Sequence, residues 1–370
     1  MSDVLRVVIR RPGGYDRLGF ERVRRARLEP GQVRVAVAAA GVNYADCVTR
    51  MGLYASARTY VGYPITPGFE VAGRVAEVGE GGAGLAPGDA VVAVTRFFGY
   101  ASEVVVPARQ VFRRPAGLSA VRAAALPVAF LTAWYGLEVL GAVRPGARVL
   151  VHSAAGGVGG LLAALARRAG ARCVGVVGAA HKIDPARRMG AHEVIVRDRR
   201  WAEAARAAAP DGYDLVLDAT GVATLRASYD LLAPMGRLVV YGFHSMLPKG
   251  RGRPNPLALA WKFLRTPRFS PLDLTGKNRS VLGFNLSYLF SQHALLAEGI
   301  EALTRCAAQG VFDAQPVTAV PFAEVARAHR MLESGETVGK LVLVVDRAAS
   351  PAGSGPVPLE VRPDGPMEPA

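Results

Sequence analysis

The stretch Val149-Leu150-Val151-His152-Ser153-Ala154-Ala155-Gly156-Gly157-Val158-Gly159-Gly160 decides the fold of this chain. The apolar run before it is typical of a parallel strand buried on both faces, and small residues follow directly. Gly156 and Gly159 lack a Cβ, so the backbone can turn tightly, approach a phosphate and let the next helix pack closely. The helix start offers free N–H groups and a positive dipole end to an anion. The stretch therefore predicts a strand, a glycine turn and a helix that bind a dinucleotide pyrophosphate.

The glycine pattern alone is weak evidence, because close strand-to-helix packing also selects small residues. It departs from G-x-G-x-x-G at the first position, which is Ala154. Its place between a strand and a helix, at the head of an alternating half-chain, favours dinucleotide binding. We expect the cofactor to contact the turn residues Ala155, Gly156, Gly157, Val158 and Gly159.

Size and charge narrow the class of protein. The chain has 370 residues, enough for a large core and more readily two domains than one. Lys+Arg 45 against Asp+Glu 30 gives a net charge of +15, which suits nucleic acid, an anionic membrane or simply an arginine-rich proteome. The charges are scattered arginines without a clustered stripe or interleaved aromatic residues, so we expect no nucleic-acid partner.

Cysteine usage and the N-terminus indicate a reducing setting. Cys47, Cys173 and Cys306 stand far apart without a C-x-x-C pair, so neither a disulfide framework nor a thiolate metal cluster is supported. Cys47 is interpreted as a small buried residue. The chain goes directly into a strand pattern without signal-peptide features, and no apolar run reaches the roughly 18 residues of a membrane helix. We predict a cytoplasmic protein.

Two patterns divide the chain. Short strands with glycine turns, such as the alternating Val33, Val35 and Val37, predict a compact β-rich sheet before about residue 125. Strands and helices then alternate, which fits an α/β fold with a doubly wound parallel sheet. The six predicted strands are Arg148–Ser153, Arg172–Val177, Glu193–Val196, Tyr213–Ala219, Gly236–Tyr241 and Ser280–Leu286.

A long basic connection, His244 to Arg279, interrupts this alternation. Within it, Lys249 to Arg268 holds six basic and no acidic residues around the apolar segment Leu257 to Leu264. This part lies on an anionic membrane, covers an apolar substrate, or forms a solvated and partly mobile lid. A helix around Ala294 to Gln309, a second helix and a last strand follow, and the Pro- and Gly-rich tail, 347–370, is predicted to be disordered.

The end of the second strand of the parallel sheet indicates which dinucleotide binds. An NAD site usually has Asp or Glu there, whereas the 2′-phosphate of NADPH needs that carboxylate absent and a cation nearby. This chain has Gly178-Ala179-Ala180-His181-Lys182. Gly178 and Lys182 therefore favour NADPH, with Lys182 on the phosphate; alternatively Lys182 is a solvated surface residue.

Several stretches together resemble the zinc-independent quinone oxidoreductases of the medium-chain dehydrogenase/reductase superfamily, in the vesicle amine transport protein branch. The resemblance runs from about residue 4 to 346. It rests on Gly13–Asp16, Gly41–Asp46, Gly52–Tyr54, Thr66–Glu70, Val151–Gly159, Pro234–Arg237, Gly283–Leu289 and Gly339–Lys340. It implies a GroES-like catalytic domain over 1–124 and 287–346, a Rossmann NADPH-binding domain over 125–286, and a homodimer.

The resemblance also implies that no catalytic zinc is bound. Zinc alcohol dehydrogenases of the superfamily carry Cys and His where this chain has Asn43 and Phe69, and their four-cysteine zinc lobe is missing here. Asn and Phe supply neither a thiolate nor an imidazole, and only Glu70 is left at this position. We predict no metal in the site.

Without a metal, the feasible reaction is hydride transfer to an acceptor that stabilises charge itself, such as a quinone or an α,β-unsaturated carbonyl. The resemblance implies that Asn43 lies beside the nicotinamide and that Tyr54 lines the same cleft. Both can donate a hydrogen bond to a developing oxyanion. Turn capping by Asn43 and core packing of Tyr54 are the structural alternatives. No obligatory acid presents itself, so we expect water to supply the proton.

Further cofactor contacts are expected on the nicotinamide side. Thr132 lies in the helix entering the nucleotide domain, where its hydroxyl either faces the nicotinamide or bonds its own helical turn. The resemblance adds Lys340, and strand ends supply Gly242, Phe243, Phe284, Asn285 and Leu286. Two rival functions stay open: an enoyl-thioester reductase, and a lipid- or membrane-associated NADPH-binding protein with little catalysis.

Overall fold

The computed structural model describes residues 3–82, 84–248 and 252–346. Lys249, Arg251 and the predicted tail at 347–370 lie outside the described residues. The strands are β1 (Val4–Val8), β2 (Gly19–Val23), β3 (Gln32–Val42), β4 (Glu70–Val78), β5 (Ala90–Val94), β6 (Glu103–Pro107), β7 (Val111–Arg113), β8 (Arg148–His152), β9 (Arg172–Val177), β10 (Glu193–Val196), β11 (Tyr213–Asp218), β12 (Leu232–Val240), β13 (Ser280–Gly283), β14 (Val317–Pro321) and β15 (Lys340–Val344).

Twelve α-helices lie in the described part of the chain, and the fourth continues as a π-helical turn, Tyr135–Leu140. The helices are α1 (Tyr44–Arg50), α2 (Ala55–Tyr60), α3 (Ala120–Ala124), α4 (Pro127–Trp134), α5 (Gly157–Arg168), α6 (Ile183–Arg188), α7 (Trp201–Ala208), α8 (Leu225–Asp230), α9 (Pro256–Leu264), α10 (Pro271–Gly276), α11 (His293–Ala308) and α12 (Val325–Ser334).

The predicted doubly wound sheet is confirmed. Its six strands are all parallel in the order β10-β9-β8-β11-β12-β13. Val149, Leu150 and Val151 of β8 are fully buried, as expected of a central strand covered on both faces. β12 begins earlier than predicted, at Leu232, and β13 ends earlier, at Gly283.

The β-rich part forms a seven-stranded sheet in the order β14-β15-β3-β4-β5-β7, with β6 also paired to β3. Val33, Val35 and Val37 point into its core, which explains their alternation in the sequence. The C-terminal strand β15 pairs antiparallel with β3, so segments from the N-terminal and C-terminal parts of the chain build this sheet, while β1 and β2 form a separate two-stranded sheet. The fold is thus a parallel α/β sheet joined to a β-rich sheet, while the exact domain boundaries stay a prediction.

The two sheets meet at the glycine turn. A parallel β-bridge joins Gly156 to Gly339, and the Gly339 N–H donates to the Ala155 carbonyl at 2.8 Å. Gly339 has φ +69°, and a Cβ there would lie 2.1 Å from the Pro316 carbonyl oxygen. Only glycine fits this crossing. The entry into β15 is therefore fixed against the start of α5.

The end of β8 anchors a buried polar network. His152 Nε2 lies 2.9 Å from Ser228 Oγ, and Ser228 in turn donates to Asp218 Oδ2 at 2.9 Å. Thr224 also donates to Asp218, at 2.7 Å. Burial lowers the pKa of His152, against the opposing charge of Asp218. The network ties β8 to β11 and α8 behind the glycine turn.

The basic connection is partly helical, and its role as a lid stays a prediction. It contains two helices, α9 and α10, and Asn255 caps α9 by accepting hydrogen bonds from the N–H groups of Leu257 and Ala258. Pro256 occupies the first turn, where its missing N–H costs nothing. Among the described residues, the helices are too short or too polar to cross a bilayer.

Candidate functional site

A mostly apolar cavity of about 980 Å³ lies between the two sheets. Residues of both sheets and of α9 line it, which gives it the size and polarity of a small-molecule site. Of the residues predicted from the sequence, twelve line this cavity: Asn43, Tyr54, Thr132, Gly156, Gly157, Val158, Gly159, Gly242, Phe243, Phe284, Asn285 and Leu286.

The strained backbone position of the glycine turn is not one of its glycines. The left-handed backbone lies at Ser153, with φ +57°, whereas Gly156 is extended and forms the N-cap of α5. Gly159 is required by packing, since a Cβ there would lie 2.1 Å from the Ser153 carbonyl oxygen. No side chain caps α5, and its first turn holds no acidic residue. Its N-terminal N–H groups and dipole are therefore left for an anion.

Four predicted contacts are absent from the cavity lining: Ala155, Gly178, Lys182 and Lys340. Ala155 is buried, and its carbonyl is used by the bridge to Gly339. Gly178 follows β9 and is exposed, with open space where a Cβ would stand. The end of β9 can thus accept a bulky group such as a ribose phosphate.

Lys182 is less available than the sequence suggested. Its side chain is buried, and its ammonium donates to the carbonyls of Gly335 and Thr337, the latter at 2.9 Å. The alternative of a solvated surface lysine is wrong. Binding of a 2′-phosphate by Lys182 stays a prediction, and it requires the ammonium to exchange a carbonyl for the phosphate.

Arg197 is a cation that the sequence interpretation missed. It follows β10 directly, and its N–H donates to the Val177 carbonyl, which places it beside Gly178. Its guanidinium donates to Thr220 Oγ1 at 3.2 Å, and burial lowers its pKa. The sequence contained a sign of this residue, because a basic residue that follows the third strand of such a sheet lies next to the end of the second strand.

Asn43 belongs to a buried ionic cluster. Its Nδ2 donates to Glu70 Oε1 at 2.9 Å, and its Oδ1 accepts from Lys340 Nζ at 2.5 Å. Lys340 and Glu70 also form an ion pair at 2.7 Å and are almost fully buried. Glu70 Oε2 accepts the Val128 N–H at 2.8 Å. Lys340, predicted to contact the cofactor, thus makes its described contacts with Asn43 and Glu70.

The cluster fixes the orientation of the Asn43 amide. Because Lys340 can only donate, the atom it contacts must be the amide oxygen. One N–H of the amide then serves Glu70, and the second is left for another acceptor. Asn43 also begins α1, but there its backbone N–H donates to Asp46 at 2.8 Å while its side chain turns to the ionic cluster. Turn capping alone does not account for this side chain.

Tyr54 lies directly before α2 and also lines the cavity. Its hydroxyl donates to Asn285 Oδ1 at 2.8 Å, and its ring packs edge-on against Phe69, with centroids 5.7 Å apart. Burial raises its pKa. Asn285 Oδ1 also accepts from the N–H and hydroxyl of Ser287. Tyr54 is both packed and hydrogen-bonded, so its two interpretations coexist.

Thr132 and Phe69 also line the cavity. The Thr132 hydroxyl donates to the Val128 carbonyl at 2.7 Å, the bond within its own helix that the sequence allowed, yet the residue also lines the cavity. Its oxygen can still accept a hydrogen bond. Phe69 is buried. Neither Asn43 nor Phe69 offers a zinc ligand of the usual kind.

Two family models match this chain. The alcohol dehydrogenase GroES-like domain matches residues 29–116, within the β-rich part. The zinc-binding dehydrogenase model matches residues 189–343, which begin at the end of α6 and reach into β15.

Known proteins match over nearly the whole chain. The synaptic vesicle membrane protein VAT-1 homolog of Rattus norvegicus is 34% identical over 337 residues, covering 90% of this chain and 82% of its own. The 2-haloacrylate reductase of a Burkholderia species is 32% identical, covering 92% and 99%.

Solved structures share the fold. The quinone oxidoreductase of Escherichia coli complexed with NADPH superposes with a TM-score of 0.76 at 26% identity, covering 92% of this chain and all of its own. The CurK enoyl reductase reaches 0.78 at 28% identity, covering 93% and 99%.

The fold and site thus define an oxidoreductase that binds a nicotinamide cofactor. The chain belongs to the medium-chain dehydrogenase/reductase superfamily, in the branch that holds the VAT-1 homologues and the zinc-independent quinone oxidoreductases.

Proposed function

We propose that the protein is an NADPH-dependent reductase that transfers a hydride to a quinone or an α,β-unsaturated carbonyl without a metal ion. The observation that carries the proposal is the cavity itself. An uncapped helix start lies on one wall, while the Asn43 amide, with one N–H not used by Glu70, and the Tyr54 hydroxyl lie in an otherwise mostly apolar lining. A relative crystallised with NADPH has the same fold.

The glycine turn fits the pyrophosphate of such a cofactor. The backbone at Gly156 and Gly157 lines the cavity without side chains in the way, and the α5 N-terminus supplies N–H donors. When bound, NADPH supplies the hydride, and the residues of this chain bind and orient it.

Arg197 and Lys182 support the choice of NADPH over NADH. We propose Arg197 as the main partner of the 2′-phosphate, because the Lys182 ammonium already donates to two carbonyls. Arg197→Leu should raise the KM for NADPH about 10–100-fold, the equivalent of one charge-assisted contact of roughly 1.5–3 kcal/mol. The KM for NADH should change little. The exposed Arg199→Leu is the control, and equal loss of both cofactors would contradict the assignment.

Asn43 is proposed to stabilise the charge that develops on the acceptor oxygen. Lys340 and Glu70 hold its amide in one orientation, so its second N–H can be fixed in place before the reaction. The surrounding apolar lining keeps water away and strengthens this hydrogen bond. Asn43→Ala should lower kcat about 100–1,000-fold, the usual cost of losing one such donor.

Tyr54 is proposed to bind the acceptor while water delivers the proton. The Tyr54 hydroxyl donates a hydrogen bond to Asn285, and burial raises the pKa of Tyr54. Tyr54 is therefore a poor acid at neutral pH. Tyr54→Phe should therefore lower kcat by less than the roughly 100-fold expected for a lost general acid. Abolished turnover at every pH would show that Tyr54 is the proton donor.

The central experiment measures NADPH oxidation with a panel of quinones, enones and enoyl thioesters. Turnover of free quinones or enones supports the proposal. A much higher kcat/KM for the thioester would favour the enoyl-thioester reductase, a class also found among proteins with this fold. Tight NADPH binding without oxidation by any acceptor would favour the binding protein.

A contact with anionic lipid is a second proposed property, favoured by α9. Leu257, Trp261, Phe263 and Leu264 are 60–82% exposed there, an unusual run of apolar surface. Arg265 and Arg268 follow the helix, while the Lys262 ammonium within it donates to the carbonyls of Ser245 and Met246. The described part of the connection has no acidic residue before Asp273. Aromatic and basic residues on one helix suit a charged membrane surface. Sedimentation with anionic vesicles, lost in high salt, is the expected result; no binding would remove this property.

We further propose a homodimer in a cytosolic setting. β13 is an edge strand of the parallel sheet within the described chain, and an unpaired edge is a template for a second copy. Cys47, Cys173 and Cys306 are free and buried, which suits a reducing compartment. Light scattering should give twice the mass of one chain, and a monomer would refute the dimer.

A further inference from the structure

A buried cluster of three metal-ligating side chains lies between α1 and α12, and none of them lines the cavity. Cys47 projects from α1, while His329 and Glu333 stand four residues apart on one face of α12. One ligand atom from each residue lies within 4.8 Å of the others. All three side chains are buried.

His329 supplies an independent sign that a partner is missing. The residue is fully buried, yet neither Nδ1 nor Nε2 has a hydrogen-bond partner among the described residues. Its ring contacts Tyr100 edge-on at 6.0 Å, which satisfies no nitrogen. Buried polar atoms are normally bonded, and leaving one without a partner costs about 1–3 kcal/mol.

We propose that Cys47, His329 and Glu333 bind a Zn²⁺ ion with a structural role. Thiolate, imidazole and carboxylate together are a zinc donor set, whereas Mg²⁺ and Ca²⁺ prefer oxygen ligands alone. Binding forms a Zn–S bond as the Cys47 thiol releases its proton to solvent. Tetrahedral ligands lie roughly 3.3–3.8 Å apart, so a pair of ligand atoms at the 4.8 Å limit would have to close by about 1 Å.

Arg50 is a charged neighbour of the three ligands, and its contacts include Glu333 and the Gly252 carbonyl. Arg50 pairs with Glu333 Oε1, and the Nη1 of Arg50 is held by the Gly252 carbonyl at 2.8 Å. Glu333 Oε2 accepts the Tyr15 hydroxyl at 2.7 Å, and the Cys47 thiol also donates a hydrogen bond to the Glu333 carboxylate. A metal can take this oxygen in place of the Tyr15 hydroxyl. The thiolate offsets one of the two added charges.

The ion would act on the fold and not on the reaction. α1 begins directly after Asn43, so linking α1 to α12 holds that residue in place from behind. This site is distinct from the superfamily's zinc position, which here holds Asn43 and Phe69.

The test titrates the chelator-treated full chain with Co²⁺, which reports ligation spectroscopically. One equivalent should give visible d–d bands and a near-ultraviolet thiolate band, and Zn²⁺ should displace them and raise the Tm. Cys47→Ser and His329→Gln should weaken binding by more than the roughly 10–100-fold typical of an outer-shell loss. Cys173→Ser, at another buried cysteine, should leave the spectrum unchanged.

Three results overturn the proposal: no thiolate band in the unmodified protein, a band that persists in both variants, or a band lost in Cys173→Ser. The first needs no variant, so a folding defect in Cys47→Ser or His329→Gln does not protect the proposal. Circular dichroism of each variant identifies such a defect.

Discussion

Lys340→Met removes the cation from the buried cluster around Asn43. Lys340 and Glu70 are 5% and 0% exposed and lie 2.7 Å apart, so solvent cannot replace the lost charge. Glu70 keeps the N–H groups of Asn43 and Val128 but no counterion. Leaving one partner of a buried pair alone costs about 3–5 kcal/mol. Urea unfolding should show this loss in the free energy of unfolding.

Two controls separate the effect of breaking the Lys340–Glu70 ion pair from the general effect of replacing a lysine with methionine. Lys277→Met breaks an exposed ion pair with Asp273 of similar length, 2.8 Å, and should change the free energy of unfolding far less, because solvent screens exposed pairs. The double variant Lys340→Met/Glu70→Gln removes both charges and should recover much of the loss, since a neutral amide costs less to bury. If Lys340→Met costs no more than Lys277→Met, or if the double variant is the sum of its parts, the reasoning is wrong.

Further predictions concern the nucleotide-binding half. Gly159→Ala should destabilise the chain by about 1–3 kcal/mol because its Cβ would meet the Ser153 carbonyl, while Gly178→Ala, with open space around it, should stay within about 0.5 kcal/mol in the same urea assay. The lowered pKa of His152 predicts that stability depends on pH. Below the unfolded pKa of about 6.5, the unfolded chain binds a proton that the folded chain does not. The free energy of unfolding should therefore decrease as pH falls, by up to about 1.4 kcal/mol per pH unit. His152→Asn should flatten the slope between pH 6 and 5, the exposed His181→Asn should not, and an unchanged slope in His152→Asn would assign the effect to other groups.

The local pattern of the chain predicted much of the fold. Val149 to Gly160 specified strand, turn and helix because burial on both faces and the absence of a Cβ are properties of the residues themselves. The alternation of Val33, Val35 and Val37 specified a half-buried strand in the same way. Helix α9 was missed, since a short apolar run among basic residues is equally compatible with a loop.

The site depended on contacts between distant parts of the chain. Lys340 meets Asn43 across 297 residues, and Lys182 meets Thr337 across 155. Only the folded chain shows that the Lys182 ammonium is held by two carbonyls while the Arg197 guanidinium contacts Thr220, so the sequence could not rank the two cations. Cys47 shows the same limit, because His329 and Glu333 reach it only when α12 packs on α1.

The sequence by itself determined the two sheet types and the glycine turn, because each follows from side-chain size, polarity or period, and its resemblance to a known family identified Asn43 and Phe69 as the residues in place of the usual zinc ligands. The tertiary structure alone decided the partners of Asn43 and Lys182, the exposure of α9 and the grouping of Cys47 with His329. These depend on distances between segments far apart in the chain, which local propensities do not encode.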